Sequence, residues 1–215
     1  MTDRRLLVTH KFEVSYWWDR FEAYYAPHFD RIEAIPITWI YDDRFYWRRY
    51  DNIVNERLAG WLENYDVVML VDGDEFVIPN PERYRDLGDY LGRFEGELVR
   101  THGFGVIEMP DDQPLDHSGK ILDQRKYWYH DPYYDKPILT RVHVIYNYGF
   151  HKCNRDAEID PDLVMFHLRD SDLVNLDKFA PDRNPKRFTN IPGVPDYDER
   201  IAITEPIPEK WTGLL

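Results

Sequence analysis

Three carboxylates stand within the stretch Asp72-Gly73-Asp74-Glu75, directly after the apolar run Val67-Val68-Met69-Leu70-Val71. Two carboxylates held about 4 Å apart repel by roughly 4 kcal/mol at an effective dielectric of about 20. A divalent cation removes that cost, and a site built from oxygen ligands suits Mg2+ or Mn2+. Mg2+ commonly takes one or two carboxylates and completes its shell with water and substrate phosphate. The residue types therefore point to a metal-bridged phosphate compound. Asp and Gly are also ordinary turn formers, so the same residues can simply reverse the chain. An EF-hand is excluded, because the loop lacks the later oxygen ligands and the closing bidentate Glu.

The apolar run is short, rich in Val and bounded by polar residues, which is the pattern of a strand buried on both faces. Open α/β sheets bind ligands beyond the carboxyl ends of their strands, and the acidic residues fall there. Earlier, Leu6-Leu7-Val8-Thr9 reads as a first strand, with His10, Lys11 and Glu13 just past its end and within reach of a ligand. Trp17, Trp18, Phe21, Tyr24 and Tyr25 then recur at helical spacing, and Pro27 closes that helix. Residues 31–40 alternate as a second strand interrupted by Pro36. Asp42 and Asp43 follow it, either as a turn or as contacts to ligand hydroxyls. Asp51 is placed to cap a second helix, whose Val54, Leu58, Trp61, Leu62 and Tyr65 form one apolar face. Strand, helix, strand, helix, strand predicts a parallel sheet.

Past Pro79 and Pro81, residues 83–94 read as a helix and 98–109 as a strand. Glu108, Asp111 and Asp112 form a second acidic group at that strand's end, where a general base or a solvated loop would sit. The aromatic stretch Tyr127-Trp128-Tyr129-His130-Asp131-Pro132-Tyr133-Tyr134 suits the C–H face and hydroxyls of a sugar, and equally a packed loop. Residues 138–146 give another strand, and 163–169 a late one with His167 inside it, where a histidine is ordinarily part of the core. Lys178, Arg183, Lys186 and Arg187 form a basic patch at the start of a tail, 178–215, that reads as extended beyond Pro192. The patch is either a lid over phosphates or a solvated loop.

Length and composition, 215 residues with 43% hydrophobic, suit one α/β domain with its own core, the tail included as residues 178–215 of a single unit 1–215. A net charge of -13, from 27 Lys plus Arg against 40 Asp plus Glu, argues against general affinity for nucleic acid or anionic membrane. The single Cys153 excludes an intrachain disulfide and fits a reducing compartment. No apolar run approaches the ~20 residues of a transmembrane helix and no signal-peptide core opens the chain, so a soluble cytoplasmic protein is expected.

The helix bearing Asn55 and Trp61-Leu62, the segment Val68-Met69-Leu70-Val71-Asp72-Gly73-Asp74-Glu75-Phe76 and the following Pro79 resemble the family 2-like glycosyltransferases of the GT-A fold. Lys136-Pro137, Gly149-Phe150-His151-Lys152 and Phe166-His167-Leu168-Arg169 also look like segments of this group. The resemblance implies an α/β fold of GT-A (Rossmann-like) type, a mixed and mostly parallel sheet flanked by helices. It implies a nucleotide-diphosphosugar donor, a carbohydrate or glycan acceptor, and a Mn2+ or Mg2+ ion. Asp74 would bind the metal, and Asp72 the donor ribose or the metal through water. His167 would complete the metal shell, with His151 in reserve. Thr9 and Asp42 match where the family holds the nucleoside, and Lys11 joins them on the donor side. Glu108 and Asp111 are the candidates for the base. The expected function is metal-dependent hexosyl transfer to an acceptor hydroxyl. The alternatives are a non-catalytic nucleotide-sugar- or glycan-binding domain and a phosphohydrolase of the haloacid dehalogenase type. In the latter, Asp-x-Asp normally follows the first strand of the domain, whereas here two βα units precede it.

Overall fold

Leu6, Leu7 and Val8 are apolar at successive positions, so a strand built on them must be covered on both faces. All three are fully buried in strand β1 (Arg5–Phe12). The computed structural model describes residues 3–12, 17–37, 43–147, 149–179 and 196–215, without the side chains of 11, 12, 36, 37, 43–49 and 177–179. The chain forms two compact units, Met1–Gly103 with Pro132–Met165, and Phe104–Asp131 with Phe166–Leu215.

In the first unit, β1 pairs in parallel with β2 (Arg31–Ile37) on one side and β3 (Val67–Leu70) on the other. Helices α1 (Trp18–Tyr25) and α2 (Asp43–Leu62) occupy the two connections in the chain, which is the expected βαβ succession. Beyond β3 the pairing becomes antiparallel, through β7 (Pro137–Thr140) to β5 (Leu98–Val106). The order is β5-β7-β3-β1-β2, while β4 (Glu75–Pro79) pairs with β10 (Ile159–His167). The architecture is thus mixed α/β, parallel in its first three strands. Leu6, Val8, Val68 and Leu70 share one cluster with Tyr50, Val54, Leu58 and Trp61 of α2. Each such side chain contributes roughly 1.5–3 kcal/mol on burial. Helix α1 packs Phe21 and Tyr25 around Phe76 of β4, with centroids 6.2 and 6.1 Å away.

Several expected boundaries move, for local reasons. Asp51 does not cap α2 but lies inside it, because residues 43–50 contain no Gly or Pro to stop the helix. Helix α3 (Leu87–Arg93) starts later than expected, at Asp86, whose carboxylate accepts the Asp89 N–H at 2.7 Å. The strand expected over 138–146 breaks after Thr140, whose hydroxyl bonds the Val142 carbonyl at 2.6 Å and accepts its N–H at 3.1 Å. The chain resumes as a hairpin of β8 (Tyr146–Asn147) and β9 (Lys152–Cys153).

In the second unit, helices α4 (Ile121–Gln124), α5 (Leu173–Phe179) and α6 (Tyr197–Ala202) accompany β6 (Tyr127–His130), which pairs antiparallel with Phe104–Val106 and with β11 (Glu205–Pro206). Ile107, Tyr129, Leu173, Leu176 and Tyr197 form its core. Residues 196–215 are folded rather than extended, since Asp196 and Glu199 make a reciprocal capping box that starts α6 past the prolines. Arg183, Lys186 and Arg187 of the basic patch lie outside the described residues, as does the Lys178 side chain. Among the described residues no helix is long and apolar enough to cross a membrane.

Leu58 lies fully buried at the centre of the α2 face. Leu58→Ala is expected to destabilise the first unit by about 2–5 kcal/mol, read as a lower urea midpoint at unchanged denaturant slope.

Candidate functional site

The register of the sheet decides which charged residues meet. Strand β1 runs parallel to β3 with Val8 beside Leu70, so two residues further His10 stands beside Asp72. Strand β7 runs antiparallel to β3 with Leu139 beside Met69, so three residues further Lys136 stands opposite Asp72. Residues paired this way project to the same face. The side chains form a buried row across the strand ends: His10 Nδ1 lies 2.8 Å from Asp72 Oδ1, and Lys136 Nζ lies 3.4 Å from Asp72 Oδ2. Lys136, wholly buried, also donates to Glu75 Oε1 at 2.7 Å.

The acidic stretch is a turn held from within. The Glu75 N–H donates to the Asp72 carbonyl at 3.1 Å, and the Asp72 N–H donates to Glu75 Oε2 at 2.8 Å. Tyr25 of α1 closes the far side, its hydroxyl donating to the Glu75 carbonyl at 3.0 Å and accepting the Val77 N–H at 2.9 Å. Burial opposes ionisation of Asp72. The charges of His10 and Lys136, the His10 hydrogen bond and the charge of His151 outweigh it and hold the carboxyl well below its ordinary range. Burial likewise opposes the Lys136 charge, yet Asp72 and Glu75 together raise that group's pKa. The crowding that suggested a divalent ion is therefore answered, for Asp72 and Glu75, by a lysine and a histidine of the chain. Asp74, between them at the tip of the turn, is half-buried.

His151 is brought to the same neighbourhood by an unusual backbone. Gly149 and Phe150 both have positive φ, 65° and 67°, and for a bulky residue that conformation is strained. The fully buried Phe150 ring, 4.5 Å from Tyr50, and the Gly149 N–H, bonded to Asp51 at 3.1 Å, hold it in place. Asn55, one turn on from Asp51, donates to the Tyr146 carbonyl and accepts its N–H, both at 2.8 Å. His151 Nδ1 lies 2.5 Å from the Tyr133 carbonyl. A carbonyl only accepts, so Nδ1 carries a proton.

The other expected residues are distributed as follows. Thr9 is fully buried, its hydroxyl donating to the His10 carbonyl at 3.3 Å, and as His10's neighbour in β1 it points to the opposite face from the row. Lys11 lies in β1 with its side chain outside the described residues, and Asp42 lies outside them entirely. The second unit holds the rest. Glu108 Oε2 accepts from Arg125 at 3.2 Å and from the Leu173 N–H at 3.1 Å, which makes it a structural anchor for α5. Asp111 is exposed in a turn. His167 is buried in β10, where its charge adds to those of Arg169 and Arg200 in keeping the buried Asp170 ionised. Sequence reasoning missed His10 and Lys136 as the partners of the acidic turn, though Lys136-Pro137 marks the start of β7.

The chain matches no protein-family model and no curated protein sequence. The assignment of chemistry thus rests on the geometry: a turn of hard oxygen donors at the carboxyl end of a parallel strand, with its flanking carboxylates pinned, Asp74 at its tip and a histidine close by.

Removing the lysine leaves two buried carboxylates short of a cation. Lys136→Met is expected to cost about 3–5 kcal/mol in chemical denaturation, and adding Glu75→Gln is expected to restore part of it. Because the folded pKa of Asp72 lies below the unfolded value of about 3.9, the unfolded chain binds more protons there. The stabilisation is fully present above about pH 4 and is lost as pH falls toward the folded value. Asp72→Asn should therefore destabilise more at pH 7 than at pH 3 in urea unfolding, and equal losses at both would count against these ion pairs.

Proposed function

We propose that the chain is a metal-dependent glycosyltransferase that moves a sugar from a nucleotide-diphosphosugar to a carbohydrate or related hydroxyl, on a fold of GT-A type. The observation that carries the reading is the position of Asp74, at the tip of an acidic turn that follows the third strand of a parallel βαβαβ array. Its carboxylate suits Mg2+ or Mn2+, which needs few protein ligands when a diphosphate supplies the others. Asp72, kept ionised, would act through water or on the donor ribose, and His151, whose charge reaches Asp72, is a histidine of this unit that would stand near the ion. When bound, the ion would supply charge compensation for the departing nucleotide diphosphate. The protein's part is to fix Asp74 in advance, so that no reorganisation is needed as charge develops.

A second reading, a nucleotide-sugar-binding domain without turnover, is favoured by Glu108, one of the two base candidates, whose carboxylate is held by Arg125 and the Leu173 N–H. Asp72, ion-paired on both oxygens, is poorly placed to be the nucleophile of a dehalogenase-type phosphohydrolase.

A thermal-shift panel of UDP, GDP, CDP and dTDP, each with and without Mn2+, tests the reading. One diphosphate is expected to stabilise the wild type only with metal, and Asp74→Ala should lose that shift with its unliganded melting temperature kept. Transfer by the same variant should fall by about 100-fold or more. Metal-dependent binding without transfer across a broad acceptor panel would establish the binding-only reading.

A further inference from the structure

The aromatic stretch leading to β7 places one ring in the open. Tyr133 is 55% exposed, while Tyr134 beside it is buried. The Tyr133 ring lies against the His151 imidazole, centroids 3.6 Å apart and planes 30° from parallel, and the Tyr133 carbonyl accepts from that imidazole's Nδ1. The ring is therefore fixed by the residue it stacks on. The backbone beneath is fixed as well: Arg100 donates to the Asp135 carbonyl at 2.9 and 2.5 Å, and the Asp135 carboxylate accepts the Gly103 N–H at 2.8 Å. A Cβ at Gly103 would overlap the Tyr134 backbone at 2.5 Å, so this close approach requires glycine. An exposed aromatic held this firmly loses little further freedom when a ligand covers it.

Its place in the sheet says which part of a ligand it meets. In the order β7-β3-β1-β2 the acidic turn follows β3, and the parallel strands, past whose carboxyl ends a nucleoside would sit, lie on one side of it. Tyr133 precedes β7, the strand that flanks β3 on the other side. Lys136, which touches Asp72, is three residues away, a backbone reach of at most about 10 Å. We infer that Tyr133, backed by His151, is the platform for a pyranose ring, which rests its C–H face on the phenol near the acidic turn. This rests on the transferase reading and adds to it the acceptor class, a sugar with a flat apolar face. A phenol ring offers the electron-rich surface that polarised C–H groups favour, with a hydroxyl at its edge for the sugar's own hydroxyls.

The test is ligand-observed saturation-transfer NMR with calorimetry on the full chain, using methyl glycosides of glucose, galactose, mannose and N-acetylglucosamine. The four nucleoside diphosphates with Mn2+ form a separate arm. At least one glycoside is expected to bind the wild type through its ring C–H protons, to weaken about tenfold or more in Tyr133→Ala, and to persist in Tyr133→Phe and Asp74→Asn. Nucleotide binding should show the reverse pattern, lost in Asp74→Asn and kept in Tyr133→Ala. Undiminished glycoside binding by Tyr133→Ala, or no glycoside bound by the wild type, overturns the subsite. So does loss of nucleotide rather than glycoside in Tyr133→Ala, because the ring would then serve the base. Tyr133-dependent glycoside binding without any metal-dependent nucleotide binding overturns the transferase reading and leaves the sugar subsite standing.

Discussion

The contact on which the site depends is the pair of bonds from one buried ammonium to two buried carboxylates. Lys136 reaches Asp72 and Glu75 across the strand ends, and without it the buried Glu75 would lose its ammonium partner at a cost of several kcal/mol while Asp72 would keep only His10. Because β7 is antiparallel to β3, the first residue before β7 falls opposite the second residue after β3, so the lysine arrives by register alone. Glu75 then ties its other oxygen to the Asp72 N–H, which closes the turn that carries Asp74. Stability and the presentation of Asp74 thus share one set of atoms.

How much of this was legible in the sequence follows from what each signal encodes. Val67 to Leu70 is apolar at every position, and such a run announces a strand covered on both faces. The same uniformity hides which residues share a face. His10 was placed within reach of a ligand but not beside Asp72, and Thr9, expected there from the family resemblance, faces the other way, since a shift of one residue exchanges the faces of a strand. Asp72 and Lys136 are 64 positions apart and meet only through pairing, which no local pattern records. Asp51 looked like a helix cap because Asp favours that role. Its carboxylate instead serves a backbone N–H 98 residues on, a long-range use that overrides the local preference. The capping box at Asp196 is legible as an Asp followed three residues later by Glu, but it stands among prolines, whose own pattern is that of an extended tail.

The strained turn at Gly149 and Phe150 shows how a functional position is maintained against its own backbone. A non-glycine residue at positive φ costs of order 1–3 kcal/mol. Burying the Phe150 side chain contributes roughly 1.5–3 kcal/mol. The hydrogen bond from Gly149 to an ionised carboxylate adds about 1.5–3 kcal/mol. The balance is favourable only while Tyr50 and Asp51 of α2 keep their places, so the placing of the His151 imidazole depends on that helix.

Asn55 carries a different consequence. Its side-chain amide donates to the carbonyl of Tyr146 and accepts the N–H of the same residue, on the side of β8 turned away from β9. A short hairpin otherwise offers such groups to any passing extended chain, which is how edge strands seed aggregation. Here a helix side chain imitates a neighbouring strand and occupies the edge. The same amide that steadies the path to His151 also keeps this hairpin from recruiting a second molecule.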